Sequence, residues 1–483
     1  MATQTDYLRH THHEFVAASE QALANQGLQQ ILGRLGDTLG ARNRQAWQLL
    51  ENSDLVREKA RAIKDQTLAD LDRHLMTLEK SVQDRGGHVY WADDGAEACC
   101  QVLDIIRAAG ARRIVKSKSM TSEEIHLNEA LQSAGQEVVE TDFGEYIIQV
   151  AGHRPSHIVG PALHLSAQDV AVILSKPAGQ RLPAEREVLA AFARAQLREK
   201  FAQADVGISG VNFAIAETGS IVLITNEGNG RLTTALPRVH VAIMGIEKVI
   251  PKLADLPYFL KVLARAATGQ KLSIYTSLIT GPRRPGELDG PEEFHLIILD
   301  NGRSKILGSP LRESLFCIRC GACLNACPVY RSVGGHAYGG VYAGPIGAVL
   351  TPLYDGLAAN HHLPHASSLC GACQAACPVK IQIPQMLVQL REQLHHTPEQ
   401  RGSRLERWAY GLWAWALRRP YLYRLGSWLA SRTIGWWHRR DAWIKRMPGK
   451  LGGWTERRDF PAPARERFRD WWNAGSENEE SAR

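Results

Sequence analysis

The sequence predicts an α/β domain with a parallel sheet, followed by a smaller α-helical domain that carries two cysteine-rich loops. After Gly87, short β-branched apolar runs alternate with helical segments, a rhythm typical of parallel sheets. Seven of the nine cysteines then fall in two short runs, at 317–327 and 370–377. With 483 residues, 44% of them apolar, the chain is long enough for about three domains.

Residues 1–86 are predicted to form an N-terminal helical region, because Leu28, Ile31, Leu32 and Leu35 recur at helical spacing. The α/β domain is predicted at 87–301. Its helices are expected at Ala96–Ala109, Ser122–Ala134 and Glu185–Gln203. Its strands are expected at His88–Trp91, Arg113–Lys118, Glu137–Glu140, Val211–Ile215, Ile221–Thr225, Val239–Met244, Ser273–Thr276 and Leu296–Leu299.

The cysteine runs define a third predicted domain, at 302–400. The first run has the spacing C-x2-C-x2-C-x3-C-P, which is typical of [4Fe–4S] proteins, and the second repeats its last three cysteines and the proline. In proteins with two clusters, the fourth cysteine of each run binds the other cluster. We therefore expect two iron–sulfur clusters. The expected ligands are Cys317, Cys320, Cys323 and Cys377 for the first, and Cys327, Cys370 and Cys373 for the second. Zinc would leave three thiolates unused.

The second set lacks a fourth cysteine. Alignment of the two Cys-Pro pairs places Ser367 at the position that corresponds to Cys317. Three interpretations stay open: Ser367 or a nearby histidine (His361, His362 or His365) is the fourth ligand, the corner iron is open to water, or the site holds a [3Fe–4S] cluster. Helices are predicted near Ala348–Ala359 and at Ile383–Leu394, so that helices flank both loops, as in the α-helical ferredoxins.

The fourth predicted region, at 401–483, is basic and rich in tryptophan. Residues 401–450 contain twelve Arg or Lys against two acids, and ten of the twelve tryptophans follow residue 400. This composition favours packing against a partner subunit or against the chain's own domains, or contact with an anionic membrane surface, over nucleic-acid binding. Its end, Ser476–Arg483, is expected to be disordered. No apolar run follows Met1, and no segment is apolar enough to span a membrane, so a cytoplasmic protein is expected.

A candidate anion site lies outside the cysteines. Lys116, Lys118, Ser119 and Ser122 follow a predicted strand and begin a helix, where anions are attracted. Glu217, in a Glu-Thr-Gly sequence, is a candidate carboxylate on the substrate side. The alternative for the first group is helix capping by Thr121 or Ser122, with Glu124 in the first turn. The alternative for Glu217 is a hairpin between two buried strands, with glycines in the turn.

Several segments resemble the LUD domain. They are Lys116-Ser-Lys-Ser-Met-Thr-Ser-Glu-Glu124, Glu140-Thr-Asp-Phe-Gly-Glu145, Ala216-Glu-Thr-Gly-Ser220, Gly245-Ile-Glu-Lys248 and Leu299-Asp-Asn-Gly302. The cysteine runs and the basic tail follow in the order of the lactate utilisation protein B family, so the resemblance covers about residues 20–460.

The resemblance implies a LUD fold similar to the ribose-5-phosphate isomerase/CoA-transferase group, followed by the ferredoxin-like domain. It also implies an electron-transfer subunit that works beside two other subunits, the A and C proteins, to oxidise L-lactate to pyruvate in the cytoplasm. The basic C-terminal region could in addition contact the inner membrane surface. The glycine-rich acyl-CoA signature of the CoA transferases is not visible around Glu217, which argues against acyl transfer. Two alternatives stay open: an iron–sulfur regulatory protein that senses a metabolite, and a hydro-lyase that uses an open cluster iron.

Overall fold

The structure is a computed structural model that describes residues 12–396, 404–437, 443–449, 452–456, 458–464 and 466–480. The chain divides into two compact units, with the boundary between His396 and Thr397. The predicted helical, α/β and cysteine-bearing regions all lie in the first unit.

Four helices open the first unit: α1 (His12–Ala24), α2 (Gln26–Gln48), α3 (Ser53–Ala69) and α4 (Leu71–Gln83). The leucines of α2 and α4 are spaced three or four residues apart, so each of these two helices presents one apolar face. Leu32, Leu35, Leu75 and Leu78 are buried there. These side chains share one continuous core with both the α/β domain and the cysteine-bearing region.

The α/β domain follows. Its elements are β1 (His88–Ala92), α5 (Gly95–Ala108), β2 (Arg113–Lys116), α6 (Met120–Glu124), α7 (Leu127–Ser133), β3 (Glu137–Glu140), α8 (Phe143–Ala151), α9 (Ala167–Ala178), α10 (Arg186–Ala202), β4 (Val206–Gly210), β5 (Phe213–Ile215), β6 (Ser220–Thr225), α11 (Asn229–Ala235), β7 (Val239–Gly245), β8 (Val249–Ile250), α12 (Leu256–Thr268), β9 (Tyr275–Ile279) and β10 (Glu293–Leu299).

Six of these strands form a parallel sheet in the order β1-β10-β7-β4-β2-β3. Their carboxyl ends therefore meet at one edge, where ligands of open α/β sheets bind. A second sheet, β8-β5-β6-β9, joins β5 and β6 as an antiparallel hairpin. Gly219 supplies the positive φ of +69° in its turn. The hairpin interpretation of the Glu217 segment is therefore right.

Two local predictions were wrong. The segment predicted as one helix, Ser122–Ala134, forms α6 and α7, because His126 has a left-handed φ of +55° between them. The central strand β4 was missed, because Gly207, Ser209 and Gly210 interrupt its apolar run. All five of its residues are nevertheless buried.

The cysteine-bearing region consists of short helices around the two loops. They are α13 (Arg303–Leu307), α14 (Ala322–Ala326), α15 (Pro328–Val333), α16 (Gly344–Asp355), α17 (Ala372–Ala376) and α18 (Ile383–His396). Helix α14 packs against α17, which brings the two loops together. Apolar residues of α16 and α18, such as Leu350 and Leu387, are fully buried beneath them.

The second unit contains α19 (Arg404–Leu417), α20 (Pro420–Trp437), β11 (Trp443–Ile444), α21 (Gly452–Thr455), β12 (Phe460–Pro461) and α22 (Phe468–Glu480). Helix α22 includes 476–480, which were predicted to be disordered; no proline interrupts it. The remaining residues of that prediction, 481–483, lie outside the described residues. In the part of the chain that the structure describes, no helix is both long and apolar enough to cross a membrane.

Candidate functional site

The two cysteine loops have the same backbone conformation. Arg319 and Leu369, each of which precedes a cysteine, have left-handed φ angles of +58° and +54°. Gly321 and Gly371, which follow the same cysteines, have φ angles of +74° and +82°. A side-chain-bearing residue rarely adopts this conformation, and strained backbone of this kind clusters at functional sites. The sequence repeat is thus also a structural repeat.

The structure brings the first predicted set of cysteines together. Cys317, Cys320, Cys323 and Cys377 line one small internal cavity. Burial raises the pKa of Cys377 to about 12, and the nearby Cys317 thiol adds to this shift. Three of the four thiols are buried, and Cys317 is half-buried.

The second predicted set also comes together, nearer the surface. Burial raises the pKa of Cys373 to about 11, and the thiols of Cys327 and Cys370 contribute to that shift. Cys327 and Cys373 are buried, whereas Cys370 is exposed. A hydrogen bond from Ser368 lowers the pKa of Cys370. The two sets therefore differ in their access to solvent.

Backbone amides point at the thiols of both sets. Tyr330 N donates to Cys327 Sγ at 3.5 Å, and Ile381 N donates to Cys377 Sγ at 3.4 Å. Amide donors to sulfur are one of the means by which proteins set cluster potentials. A set of thiols around a shared space, with amides directed at the sulfurs, fits an iron–sulfur cluster.

The residues considered for the fourth position of the second set make contacts of their own. Ser367 Oγ accepts a hydrogen bond from Leu369 N at 3.1 Å. His361 Nδ1 lies 3.0 Å from the carbonyl oxygen of Ala358. His362 is buried, with its ring 5.6 Å from that of Phe15, whereas His365 is exposed. The three interpretations of this position stay open.

Lys116, the first residue of the predicted anion site, is committed to internal ion pairs. Its Nζ lies 2.7 Å from Glu140 and 3.1 Å from Glu123, because β2 and β3 pair Lys116 with Glu140. Burial opposes the charge of Lys116, but the two carboxylates outweigh it and raise the pKa of the lysine. Ser122 Oγ accepts a hydrogen bond from the same ammonium at 3.0 Å. Neither residue faces an open site.

Lys118 and Ser119 do line a cavity, of about 440 Å³, near the carboxyl ends of β2 and β4. Ser119 Oγ also accepts a hydrogen bond from Ser122 N at 3.2 Å, so the residue that caps α6 is Ser119 rather than Thr121 or Ser122. Glu217 is exposed, and its carboxylate accepts a hydrogen bond from Leu253 N at 3.0 Å. Glu217 does not line this cavity.

Two further cations line the same cavity, and the sequence analysis did not single out either of them. Lys248 ends a short 3-10 helix after β7, and Arg319 lies in the first cysteine loop. Cys320 lines the cavity too, so the cavity reaches the first cysteine set. Burial, with the neighbouring charge of Arg319, lowers the pKa of Lys248 to about 8. The Gly245-Ile-Glu-Lys248 segment was the sequence signal that could have identified Lys248.

A buried ionic network lies behind the cavity. Arg303 contacts Glu124 at 2.8 Å and Glu247 at 2.7 Å, and Tyr342 donates to Glu124 at 2.6 Å. Glu247 also pairs with Arg319 at 3.5 Å. Although burial opposes ionisation, Arg303 and the other cations outweigh it and lower the pKa of Glu247 to about 2. The network thus joins the α/β domain to the first cysteine loop.

Comparison with known proteins gives three matches along the chain. Residues 75–299 match the LUD domain, 313–381 the 4Fe-4S dicluster domain, and 390–476 the C-terminal domain of lactate utilisation protein B. The chain therefore has a LUD domain with a parallel α/β sheet, followed by a 4Fe-4S dicluster domain.

Relatives that match over most of their length are named lactate utilization protein B. Lactate utilization protein B from Bacillus licheniformis is 45% identical over 460 residues, which cover 95% of this chain and 96% of the relative. The Bacillus subtilis protein of that name is 45% identical and covers 94% of each chain. The Geobacillus kaustophilus protein is 47% identical and covers 86% of this chain and 87% of the relative. A crystal structure of a DUF162 family protein from Deinococcus radiodurans matches 47% of this chain and 98% of its own, at 14% identity and a TM-score of 0.27. By its whole-length similarity to these named relatives, the chain belongs to the lactate utilization protein B family.

Proposed function

We propose that this protein is an iron–sulfur electron-transfer subunit of a system that oxidises L-lactate to pyruvate. The observation that carries the proposal is that two sets of thiols, one internal and one that reaches the surface, lie in and around the adjacent helices α14 and α17. The names of the relatives supply lactate utilisation as the process, and the dicluster match supplies the chemistry.

The ligands in this proposal are those of the crossed arrangement. Cys317, Cys320, Cys323 and Cys377 would hold the first cluster, and the second would be held by Cys327, Cys370 and Cys373. Two such clusters accept and release single electrons. The thiolates would hold the irons, and the amides of Tyr330 and Ile381 would stabilise negative charge on two of the sulfurs.

We infer the direction of electron transfer between the two cysteine sets from their positions in the structure. The first set lies next to the 440 Å³ cavity, which Cys320 helps to line. The second set includes the exposed Cys370. Electrons would therefore enter at the first set and leave at the second, toward an external carrier.

Other parts of the proposal are finer. The family resemblance supports the A and C proteins as partner subunits and a cytoplasmic location. The basic, tryptophan-rich composition of the C-terminal region supports its contact with a partner or with the membrane surface. A LUD fold akin to ribose-5-phosphate isomerase and the CoA transferases, and kinship of the dicluster region with α-helical ferredoxins, belong to the same proposal. So does the division into domains at 1–86, 87–301, 302–400 and 401–483.

One observation favours a second candidate. The second set has three thiols and an exposed member, so an iron there could be open to a substrate hydroxyl, as in a hydro-lyase that uses the metal as a Lewis acid. In that case substrate would change the spectrum of this cluster without net reduction. The regulatory alternative, in which the clusters sense oxygen or iron, has no comparable support in the described residues.

The proposal is tested by low-temperature EPR on anaerobically purified full-length protein, with iron and sulfide quantified on the same sample. About eight irons per chain and two interacting signals after reduction would support it. Reduction by L-lactate in the presence of the partner proteins would establish the direction of transfer. Zinc in place of iron would rule the proposal out.

A further inference from the structure

We propose that the cavity lined by Lys118, Lys248 and Arg319 is a carboxylate-binding site, and that it takes a small 2-hydroxy or 2-oxo acid on this chain rather than on a partner. The inference rests on the proposed function for the identity of the acid. The site itself rests on buried cationic donors beside the first cysteine set.

Lys248 is a mostly buried cation in the wall of the cavity. It is only 7% exposed, and the fully buried donors beside it that have no hydrogen-bond partner are Lys118 Nζ and Arg319 Nη1. The adjacent carboxylate of Glu247 is already engaged by Arg303 at 2.7 Å. A buried cationic donor without a partner is costly, and such groups are normally paired. An anion in the cavity would supply the missing partner.

Arg319 presents a second unused donor. Its Nη2 lies 3.5 Å from Glu247 and 3.3 Å from Tyr354 Oη, and its guanidinium lies over the Tyr342 ring at 4.7 Å. Its Nη1 is buried and has no hydrogen-bond partner in the structure. A guanidinium with a free edge is well suited to a carboxylate.

Lys118 completes the cationic wall. Its Nζ lies 3.5 Å from Glu145, and no hydrogen bond satisfies that nitrogen. Two acids also line the cavity, but both are occupied. Asp142 accepts hydrogen bonds from the amides at the start of α8, at 3.0 and 3.2 Å. Glu227 accepts a hydrogen bond from Phe143 N at 3.4 Å. The two donors in the cavity wall that have no hydrogen-bond partner, Lys118 Nζ and Arg319 Nη1, are therefore both cationic and suit an anion.

The position of the cavity in the fold also fits a ligand-binding site. The cavity lies near the carboxyl ends of β2 and β4, where open α/β sheets bind ligands. Leu263, Ala264 and Ala267 give it an apolar wall that can accept a methyl group. Because Cys320 lines the same cavity, an acid bound to the three cations lies directly next to the first cysteine set.

The test uses the full-length protein with its clusters, purified without oxygen, and measures binding of L-lactate and pyruvate by calorimetry. We expect saturable binding of at least one of these acids, and binding that is roughly 10- to 100-fold weaker in Lys248→Met, from the usual strength of a charged hydrogen bond. Lys118→Met is expected to weaken binding as well. The matched control is Lys252→Met, which removes an exposed lysine of the same segment and should leave binding unchanged.

Iron content and EPR spectra of each variant separate this inference from the proposed function. Loss of binding with the full iron content and both signals retained supports the carboxylate site. Three outcomes overturn it: no binding of either acid to a fully loaded wild-type protein, displacement of the acid by inorganic phosphate or flavin mononucleotide at lower concentration, or a shift in the potential of the first cluster with unchanged acid binding. The last result would mean that the cations serve only to neutralise the thiolates.

Discussion

Arg303 and Glu124 form a bidentate ion pair, with Nη1–Oε1 at 2.8 Å and Nη2–Oε2 at 2.9 Å; the Arg303 side chain is fully buried and that of Glu124 is 6% exposed. Glu124 lies on α6 of the α/β domain, and Arg303 begins α13, the first helix of the cysteine-bearing region. Tyr342, farther along that region, donates to the same carboxylate. The pair thus fixes the position of the first cysteine loop against the sheet edge.

Removal of Arg303 is predicted to destabilise the protein strongly. In Arg303→Met, the carboxylates of Glu124 and Glu247 would remain buried without their main counter-charge. Breaking a buried pair in this way costs about 3–5 kcal/mol. We expect a clear fall in the thermal unfolding midpoint of the loaded protein, measured by circular dichroism.

The control for this change is Arg107→Met, which removes an exposed pair with Asp104 at 3.0 Å. Exposed pairs of this kind contribute about 0–1 kcal/mol, so its midpoint should hardly move. Equal shifts for the two variants would contradict the structural role that we assign to Arg303.

Cys320→Ser is predicted to remove one cluster and spare the other. Cys320 belongs to the internal set, whereas Cys327, Cys370 and Cys373 form the second set. Because each cluster is held by its own thiols, the variant should lose about half of its iron and acid-labile sulfide. Both are measured chemically on anaerobic protein. Cys100→Ser, which alters an exposed thiol outside the two runs, should retain all of its iron.

The second cluster is predicted to be lost first in air. Cys370 is exposed, whereas the first set has three buried thiols and one half-buried thiol. Oxygen therefore reaches the second site more easily, and iron release should show a fast and a slow phase of similar size. Release is followed with an iron chelator after brief exposure to air. In Cys317→Ser the slow phase should disappear, and a single phase in the wild-type protein would contradict the difference in burial.

The grouping of the seven cysteines into two sets could be predicted from the sequence, because it follows from their spacing, whereas their role as cluster ligands stays a prediction. The cavity could be predicted only in part. Lys118 and Ser119 follow a recognisable strand, but the pairing of Lys116 with Glu140 depends on the register between β2 and β3. Lys248 and Arg319 are far apart in the chain, and they meet only because the end of β7 lies against the first cysteine loop. Such convergence leaves no periodic signal in the sequence.

Acidification is predicted to weaken the α/β domain through His240. This residue is fully buried in β7, its Nε2 lies 2.8 Å from Ser209 Oγ, and the only other titratable side chain that contributes to its shift is His295. Burial lowers the pKa of His240 to about 3, whereas an unfolded histidine titrates near about 6.5. The unfolded state therefore binds more protons below pH 6.5, so the free energy of unfolding falls as the pH falls toward 3. His240→Gln should reduce the dependence of the unfolding midpoint on pH between about 7 and 5.5. An unchanged slope would contradict the buried neutral form.

The tryptophan-rich unit is predicted to bind anionic membrane surfaces. Trp408, Trp413 and Trp415 on α19 are 50–66% exposed, and residues 401–450 carry twelve basic residues against two acids. Indole rings favour the headgroup region, and basic side chains favour anionic lipids, so both contributions act in the same direction. We expect the full-length protein to sediment with phosphatidylglycerol vesicles but not with phosphatidylcholine vesicles, and high salt should weaken this binding. Trp413→Ala should reduce binding, whereas Trp91→Ala, which removes an exposed tryptophan of the α/β domain, should not. If the protein sediments with neither kind of vesicle, the membrane prediction is wrong, and a partner subunit becomes the expected contact of the exposed aromatic residues.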